Sequence, residues 1–379
     1  MNPIKSFFKN FFARKRVLGD SEQLTGLAKA DALLNTLVNE GRVPGISVTV
    51  LKNGETLLKR GYGYADMERQ EPVHTEKTIF RIASVSKPIA ATALAHMVGE
   101  GLIDLDASFY RYVPDYPKKK YDFTIRQLAG HTAGIRGYRG AEYGLNEPFS
   151  IGEGAAIFKE DPLIFEPGTQ YLYNSYDWVL IALAMQEASG IAFEEYVYNK
   201  VLVPLGMQAT FAPENYKGTS GTTHGNLGSL KEHNERGLTP TSFYSKNRIG
   251  FRKAIPVNNY YKLAGGGYLS TSEDIAKLGQ AYLEGKVLTP ALIEPFLTSQ
   301  RIADVPTYYG LGWQVSQDKK GRSFYGHVGN GVGGYSNFFV YPENQMVIAI
   351  LINCTDPKVQ DTLDAVIDGV IRAVETTTA

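Results

Sequence analysis

The chain has 379 residues, enough for one large or two ordinary domains, and its 43% hydrophobic and 21% charged residues are the balance of a folded globular protein. Basic and acidic residues number 39 each, so no overall field draws in nucleic acid or an anionic membrane. The single cysteine, Cys354, excludes an internal disulfide, and its apolar run MVIAILINC reads as a buried strand rather than the setting of a catalytic thiol.

Residues 1–21 read as a basic amphipathic leader. Lys5, Lys9, Arg14, Lys15 and Arg16 come without an acid over 1–19, and Ile4, Phe7, Phe8, Phe11 and Phe12 recur at helical spacing. The stretch lacks an unbroken apolar region and a small-residue cleavage site, so no secretory signal is recognised. A helix of this kind can lie on a membrane surface, serve as a targeting peptide, or dock on the core as a leader. Peripheral membrane contact through residues 1–19 and a cytoplasmic or membrane-peripheral location both fit. No apolar run reaches the ~18 residues expected of a membrane-spanning helix.

Residues 22–41 read as a helix, and 45–51 and 55–62 as two strands. Lys52-Asn53-Gly54 joins them as a tight hairpin, because Asn and Gly tolerate positive φ. The Ala-rich run from Ser84 to Gly99 predicts a helix that Gly101 can close, with Pro88 near its start, where a missing N–H costs little. From 106 to 257 helical patterns alternate with Gly- and Tyr-rich loops, TIRQLAGH, YDWVLIALAMQEASG and AFEEYVYNKVLVPLG being the clearest. Strand-like runs then return in WQVSQ, SFYGHVG, YSNFFVYP and MVIAILIN, with helices at 272–285 and 358–375. Thr271 or Ser272 ahead of Glu273 and Asp274 is a good helix start. The expected fold is therefore an α/β domain of 22–105 and 258–379, an antiparallel sheet flanked by helices, with a mainly helical domain over 106–257 and a cleft at the join.

Three short motifs carry chemistry. Ser84-Val85-Ser86-Lys87 sets a serine and a lysine on neighbouring positions of one helix face, at the helix end where backbone N–H groups are free. Burial or a nearby cation would lower the pKa of Lys87 enough for it to take a proton from Ser84. Ser6–Lys9 and Ser316–Lys319 share the spacing, but only Ser84 opens a long apolar helix after a strand. Tyr173-Asn174-Ser175 offers a phenol that can share the proton and a polar side chain two residues on. The same residues also suit a Tyr-rich loop capping a helix. His327-Val328-Gly329 puts a histidine beside a glycine that lets another backbone or a substrate approach. The remaining histidines show no metal-ligand spacing, and no metal or cofactor is implied.

Taken together, FRIASVSK, LAGHTAGI at 128–135, PGTQYLYNS, VPLGM at 203–207, AGGGYLST at 264–271 and GHVGNGVGG make the chain resemble the serine beta-lactamase-like family. That family includes class C beta-lactamases, penicillin-binding proteins, D-aminopeptidases and family VIII esterases. The resemblance covers roughly residues 25–372, and the wording at 146–168 is similar to the mitochondrial branch and its bacterial relatives. It implies a beta-lactamase/transpeptidase-like fold, with Ser84 as the acylated nucleophile, Lys87 as general base and Tyr173 assisting proton transfer to the leaving group. The backbone N–H groups of Ser84 and Asn330 would form the oxyanion hole, and Gly329 and Ser175 would line the substrate. His327 stands where beta-lactamases usually carry the lysine of K-T-G, and His131 of LAGHTAGI would be structural.

The chain departs from the family at two points. Its tyrosine motif ends in Ser175 where the family usually has Asn, and a literal Y-x-N at Tyr335-Ser336-Asn337 lacks the PGTQY context and reads as a decoy. His327, neutral near pH 7 at its ordinary pKa of about 6.5, supplies no fixed charge for a substrate carboxylate. The expectation is a serine hydrolase of small amides, esters or peptides with at most weak beta-lactamase activity. The alternative is a catalytically silent relative acting in peptide binding or structural assembly.

Overall fold

The computed structural model describes residues 24–213 and 237–375; the leader expected over 1–21 lies outside them. Thr25 precedes helix α1 (Gly26–Asn39), whose Ala30, Leu34 and Leu37 are buried. The chain then enters strands β1 (Gly45–Lys52) and β2 (Glu55–Asp66). The turn between them takes φ 52° at Asn53 and 81° at Gly54, the doubly left-handed geometry that tight hairpins need. β3 (Glu71–Pro72) pairs with β2 at the sheet edge.

Helix α2 (Ser86–Gly99) follows, then α3 (Tyr176–Ser189) and α4 (Ser272–Leu283). Strands β4 (Gln314–Gln317), β5 (Ser323–Gly331), β6 (Gly334–Tyr341) and β7 (Met346–Ile352) complete the sheet, and α5 (Gln360–Glu375) closes the described chain. The seven strands run in the order β4-β5-β6-β7-β1-β2-β3, every neighbour antiparallel. β1, from the first part of the chain, lies between β2 and β7, so both chain ends build one sheet.

Residues 106–213 carry short helices such as Ile125–Ala129, Ile151–Ala155 and Phe193–Val197 around α3. Residues 237–257 instead add strand pieces: Thr239–Pro240 pairs with Thr78 and Ile79, and Tyr244 and Ser245 pair with Cys354 and Thr355. One apolar cluster runs from Phe338, Val340 and Leu351 of the sheet through α2 to Trp178 of α3 and on to Phe193 and Leu202. A second lies between the other sheet face and α1 and α5, and holds Cys354. Among the described residues no helix is long and apolar enough to cross a membrane.

The helix expected to open at Ser84 begins as an α-helix only at Ser86. Residues Ala83–Val85 form a separate 3-10 turn, and Ala83 takes φ 46°, a left-handed conformation unusual for a residue with a Cβ. The short strand Thr78–Arg81 must turn sharply into α2, and the 3-10 turn absorbs that change of direction at Ser84. At the later start the cap is Thr271, whose hydroxyl accepts from Asp274 N–H, while Ser272 is buried on Ser47 and Thr49 of β1.

Candidate active site

Lys87 is fully buried in the first turn of α2. Its ammonium donates to the Gly265 carbonyl at 2.6 Å and reaches Ser84 Oγ at 3.3 Å and Ser175 Oγ at 3.5 Å. Taking an ammonium out of water favours the neutral amine, and burial pulls the Lys87 pKa from 10.5 down to about 7, against the opposing pull of Asp177 and with a smaller lowering from Lys262. On the other side of Ser84, the Tyr173 hydroxyl donates to Ser84 Oγ at 2.7 Å. The Lys87 nitrogen lies 4.7 Å from the centre of the Tyr173 ring. Desolvation raises the Tyr173 phenol above its ordinary range, with the Ser84 hydrogen bond working against it.

Ser175 and Asn174 part company just before α3. The Asn174 side chain turns into the core: its amide donates to Asp177 Oδ2 and the Ile135 carbonyl, and its Oδ1 accepts from Asp177 N–H. The Ser175 hydroxyl is therefore the polar side chain that the motif presents to Lys87. Gly265 packs directly on this segment, since a Cβ there would come within 2.9 Å of the Ser175 carbonyl.

β5 forms the opposite wall. A Cβ on Gly329 would sit 2.3 Å from Ser336 Oγ, 2.4 Å from the Ile82 carbonyl and 3.1 Å from Ser84 N, so only glycine allows the strand this close to the Ser84 turn. Asn330 follows, exposed, its side-chain oxygen accepting from Asp356 N–H. His327 is buried and both its nitrogens are occupied, Nδ1 donating to the Val328 carbonyl at 2.7 Å and Nε2 accepting from Tyr309 Oη at 3.0 Å. Burial pushes its pKa down to about 3, so it is neutral across the physiological range and brings no positive charge to β5.

Several residues here carry no mark in the sequence. His131, expected to be structural, packs its ring 4.6 Å from that of Tyr173 and 4.8 Å from that of Tyr309. Its Nδ1 lies 2.7 Å from Asp177 Oδ2, both side chains fully buried. Burial pushes the Asp177 carboxyl up and the His131 imidazole down. Tyr138, Tyr309 and Lys262 also border the site, but nothing sets the first two apart among 24 tyrosines. The segment LAGHTAGI was the one available signal, and it pointed to His131 without its partner. The tyrosine and asparagine of the literal Y-x-N lie on the other side of the sheet, where Tyr335 Oη donates to Gln360 Oε1 at 2.7 Å.

Residues 30–371 match the family described as Beta-lactamase. The chain belongs to the beta-lactamase family. It is similar to the human protein named serine beta-lactamase-like protein LACTB, mitochondrial, at 28% identity over 82% of this chain and 71% of the relative. It is also similar to penicillin-binding protein 4* of Bacillus subtilis, at 24% identity over 85% of this chain and 70% of the relative. Among solved structures, the D-amino acid amidase of Ochrobactrum anthropi in complex with D-phenylalanine superposes with a TM-score of 0.75 at 21% identity, covering 93% of this chain and 99% of that one. This beta-lactamase family member thus has the family's fold, a mixed α/β architecture on an antiparallel sheet, as its sequence motifs led one to expect.

Proposed function

We propose that this chain is a serine hydrolase that cleaves small amides or esters through an acyl-enzyme on Ser84. The observation that carries the reading is the convergence on Ser84 Oγ of the Tyr173 hydroxyl at 2.7 Å and the Lys87 nitrogen at 3.3 Å. With its pKa near 7, Lys87 is in good part a free amine at neutral pH and can take the Ser84 proton as Oγ attacks the substrate carbonyl. Tyr173 is within reach to pass a proton to the leaving group, and water then releases the acyl group from Ser84. The N–H groups of Ser84 and Asn330 are the proposed donors to the developing oxyanion, and the close approach of β5 at Gly329 supports that pairing. Gly329 and the Ser175 hydroxyl line the proposed substrate path, with His327 behind it.

Membership of the beta-lactamase family, and fold neighbours named as an amidase and a hydrolase with acyltransferase activity, support the general class. The neutral, doubly bonded His327 supports esters and uncharged amides over carboxylate-bearing beta-lactams.

A fluorophosphonate label located by mass spectrometry tests the assignment, alongside turnover of p-nitrophenyl esters, nitrocefin and amino acid p-nitroanilides. Ser84→Ala should keep the fold and lose the label, and Tyr173→Phe should slow labelling by about 10²–10⁴. A label on another serine sinks the assignment. A folded wild-type protein that takes no label favours the alternative of a silent relative that binds peptides or assembles.

A further inference from the structure

Tyr171 lies two residues before Tyr173, and the reading above assigns it no work. Both rings stand on the same two neighbours. The Tyr173 ring centre is 4.6 Å from that of His131 and 5.8 Å from that of Tyr309. The Tyr171 ring centre is 6.2 Å from each, edge-on to His131. His131 and Tyr309 are buried, 4.8 Å apart, and Tyr309 is fixed in turn by its hydrogen bond to His327. On this buried base Tyr171 and Tyr173 keep 37% and 38% of their surface open.

The Tyr171 ring is not what anchors its segment. Backbone N–H groups of Ile164, Gly168 and Leu172 donate to the carbonyls of Gly134, Thr132 and His131 at 2.9, 2.8 and 3.0 Å, and pin 164–172 along 131–134. An aromatic face is thus held open to solvent on a rigid support, on the same wall as the residue that touches Ser84 Oγ. β5, with Gly329 against the Ser84 turn, is the opposite wall. Rings prefer to meet edge-to-face or offset at about 4.5–7 Å, the spacing already present in this wall, so a further ring can join it without rearrangement.

The chemistry says which part of a substrate arrives there. Ser84 Oγ bonds the carbonyl carbon and gives its proton to Lys87. As the bond from that carbon to the leaving oxygen or nitrogen breaks, the leaving atom takes a proton from Tyr173, which Lys87 restores. A proton donor must reach the atom it protonates, so the leaving group departs along the Tyr173 side, and the next exposed aromatic surface on that side is Tyr171.

We propose that Tyr171 is a specificity-determining residue, whose open ring forms with Tyr173 a subsite for an aromatic leaving group. This inference rests on the acyl-enzyme reading and deepens it by naming a substrate class: uncharged esters or amides of aromatic alcohols or amines.

The test is kcat/KM for three esters, followed by titration of the acid released. Benzyl acetate carries its ring on the leaving group. Methyl phenylacetate, its isomer, carries the ring on the acyl side, and ethyl acetate has none. kcat/KM reads the steps up to departure of the leaving group. Tyr171→Ala should lower it for benzyl acetate roughly tenfold more than for the other two, the scale of a lost aromatic contact with its buried area. Tyr171→Phe keeps the ring and should hold the wild-type ratio of the three within about twofold. Equal losses on all three esters, or no loss on benzyl acetate, overturn the proposal. A larger loss on methyl phenylacetate also overturns it, because the ring then serves the acyl side. Should Tyr171→Ala not fold, Tyr171→Leu keeps apolar bulk without a ring and must show the same selective loss. A wild type that takes no fluorophosphonate label at Ser84 and turns over none of the esters fails the underlying reading instead.

Discussion

On the face of the sheet under α1 and α5, the inward side chains are Val48, Val50, Phe339, Ile348 and Ile350, met by Leu34 and Leu37 of α1 and by Leu363, Val366 and Ile367 of α5. On the face toward α2 and α4, Val347, Ala349, Leu351 and Phe338 still pack an apolar core, but Ser47, Thr49, Ser336 and His327 are buried among them. The polar groups on this face are spent in specific ways. Ser47 and Thr49 both bond Ser272, and Ser336 donates to the Ile82 carbonyl two residues before Ser84. The alternation of a strand sends successive residues of β1, β6 and β7 to opposite faces, so the same strands build an apolar face for stability and a polar one that fixes the Ser84 turn. A buried polar group or charge costs stability unless it is paired, and the site face carries that cost while the helix-covered face offsets it.

Lys87 makes the contrast sharpest. Unfolded, its amine holds a proton up to about pH 10.5; folded, only below about 7. The unfolded chain binds the extra proton between these limits, so this group's contribution to stability falls as pH drops from 10.5 to 7 and is level below that. The cost at pH 7 is roughly 4 kcal/mol. Lys87→Met should therefore abolish detectable labelling of Ser84 while raising stability at pH 7 by up to that amount, less the hydrogen bond lost at Gly265. The gain over wild type should shrink toward zero near pH 10. Urea melts at pH 7 and pH 10 measure it, and a variant less stable than wild type at both would show that Lys87 is held by contacts stronger than its desolvation.

Much of the architecture was legible because it rests on local rules. Asn53-Gly54 announced its hairpin through residue types that tolerate positive φ, and Thr271 with Asp274 announced the start of α4. Ser84 and Lys87 were legible because a serine and a lysine three positions apart at a helix start need no tertiary information. The contacts that complete the site are of another kind. His131 and Asp177 are 46 residues apart, and Lys87 and Gly265 are 178 apart, so no spacing links them. The shift of the helix start to Ser86 was hidden because Ala83, unlike a glycine, gives no hint of its left-handed backbone. Asn174 and Ser175 offered two candidates for one role, and only the fold separates them: the longer side chain caps α3 and binds Asp177, leaving the shorter one beside Lys87.

The helix-covered face should respond to a cavity and not to chemistry. Ile350 is fully buried between Val48 of β1 and Asn337 of β6, and its side chain points to α1 and α5. Ile350→Ala removes apolar contacts that the surrounding elements cannot close over, and should cost about 2–5 kcal/mol in a urea melt. The labelling rate of the folded protein at Ser84 should stay within about twofold of wild type, since no hydrogen bond of the site face involves this side chain. A large fall in labelling with little loss of stability would mean that the two faces are coupled through the sheet.

The smallest expected effect belongs to Tyr335, and it separates sequence pattern from position most cleanly. Tyr335-Ser336-Asn337 is the literal form of the family's tyrosine motif, yet the strand's alternation divides it. Ser336 faces the Ser84 turn, while Tyr335 and Asn337 both bond Gln360 at the start of α5. Tyr335→Phe keeps the ring, which is nearly buried, and removes one hydrogen bond to a neutral amide. Its cost should be about 1 kcal/mol of stability, in the usual range for such a bond. Labelling of Ser84 should be unchanged, where Tyr173→Phe loses orders of magnitude. The measurement is a labelling rate for the two tyrosine variants side by side, with a melt for each. Equal losses of labelling would refute the assignment of proton transfer to Tyr173 alone, because Tyr335 can reach Ser84 only if β6 presents its other face.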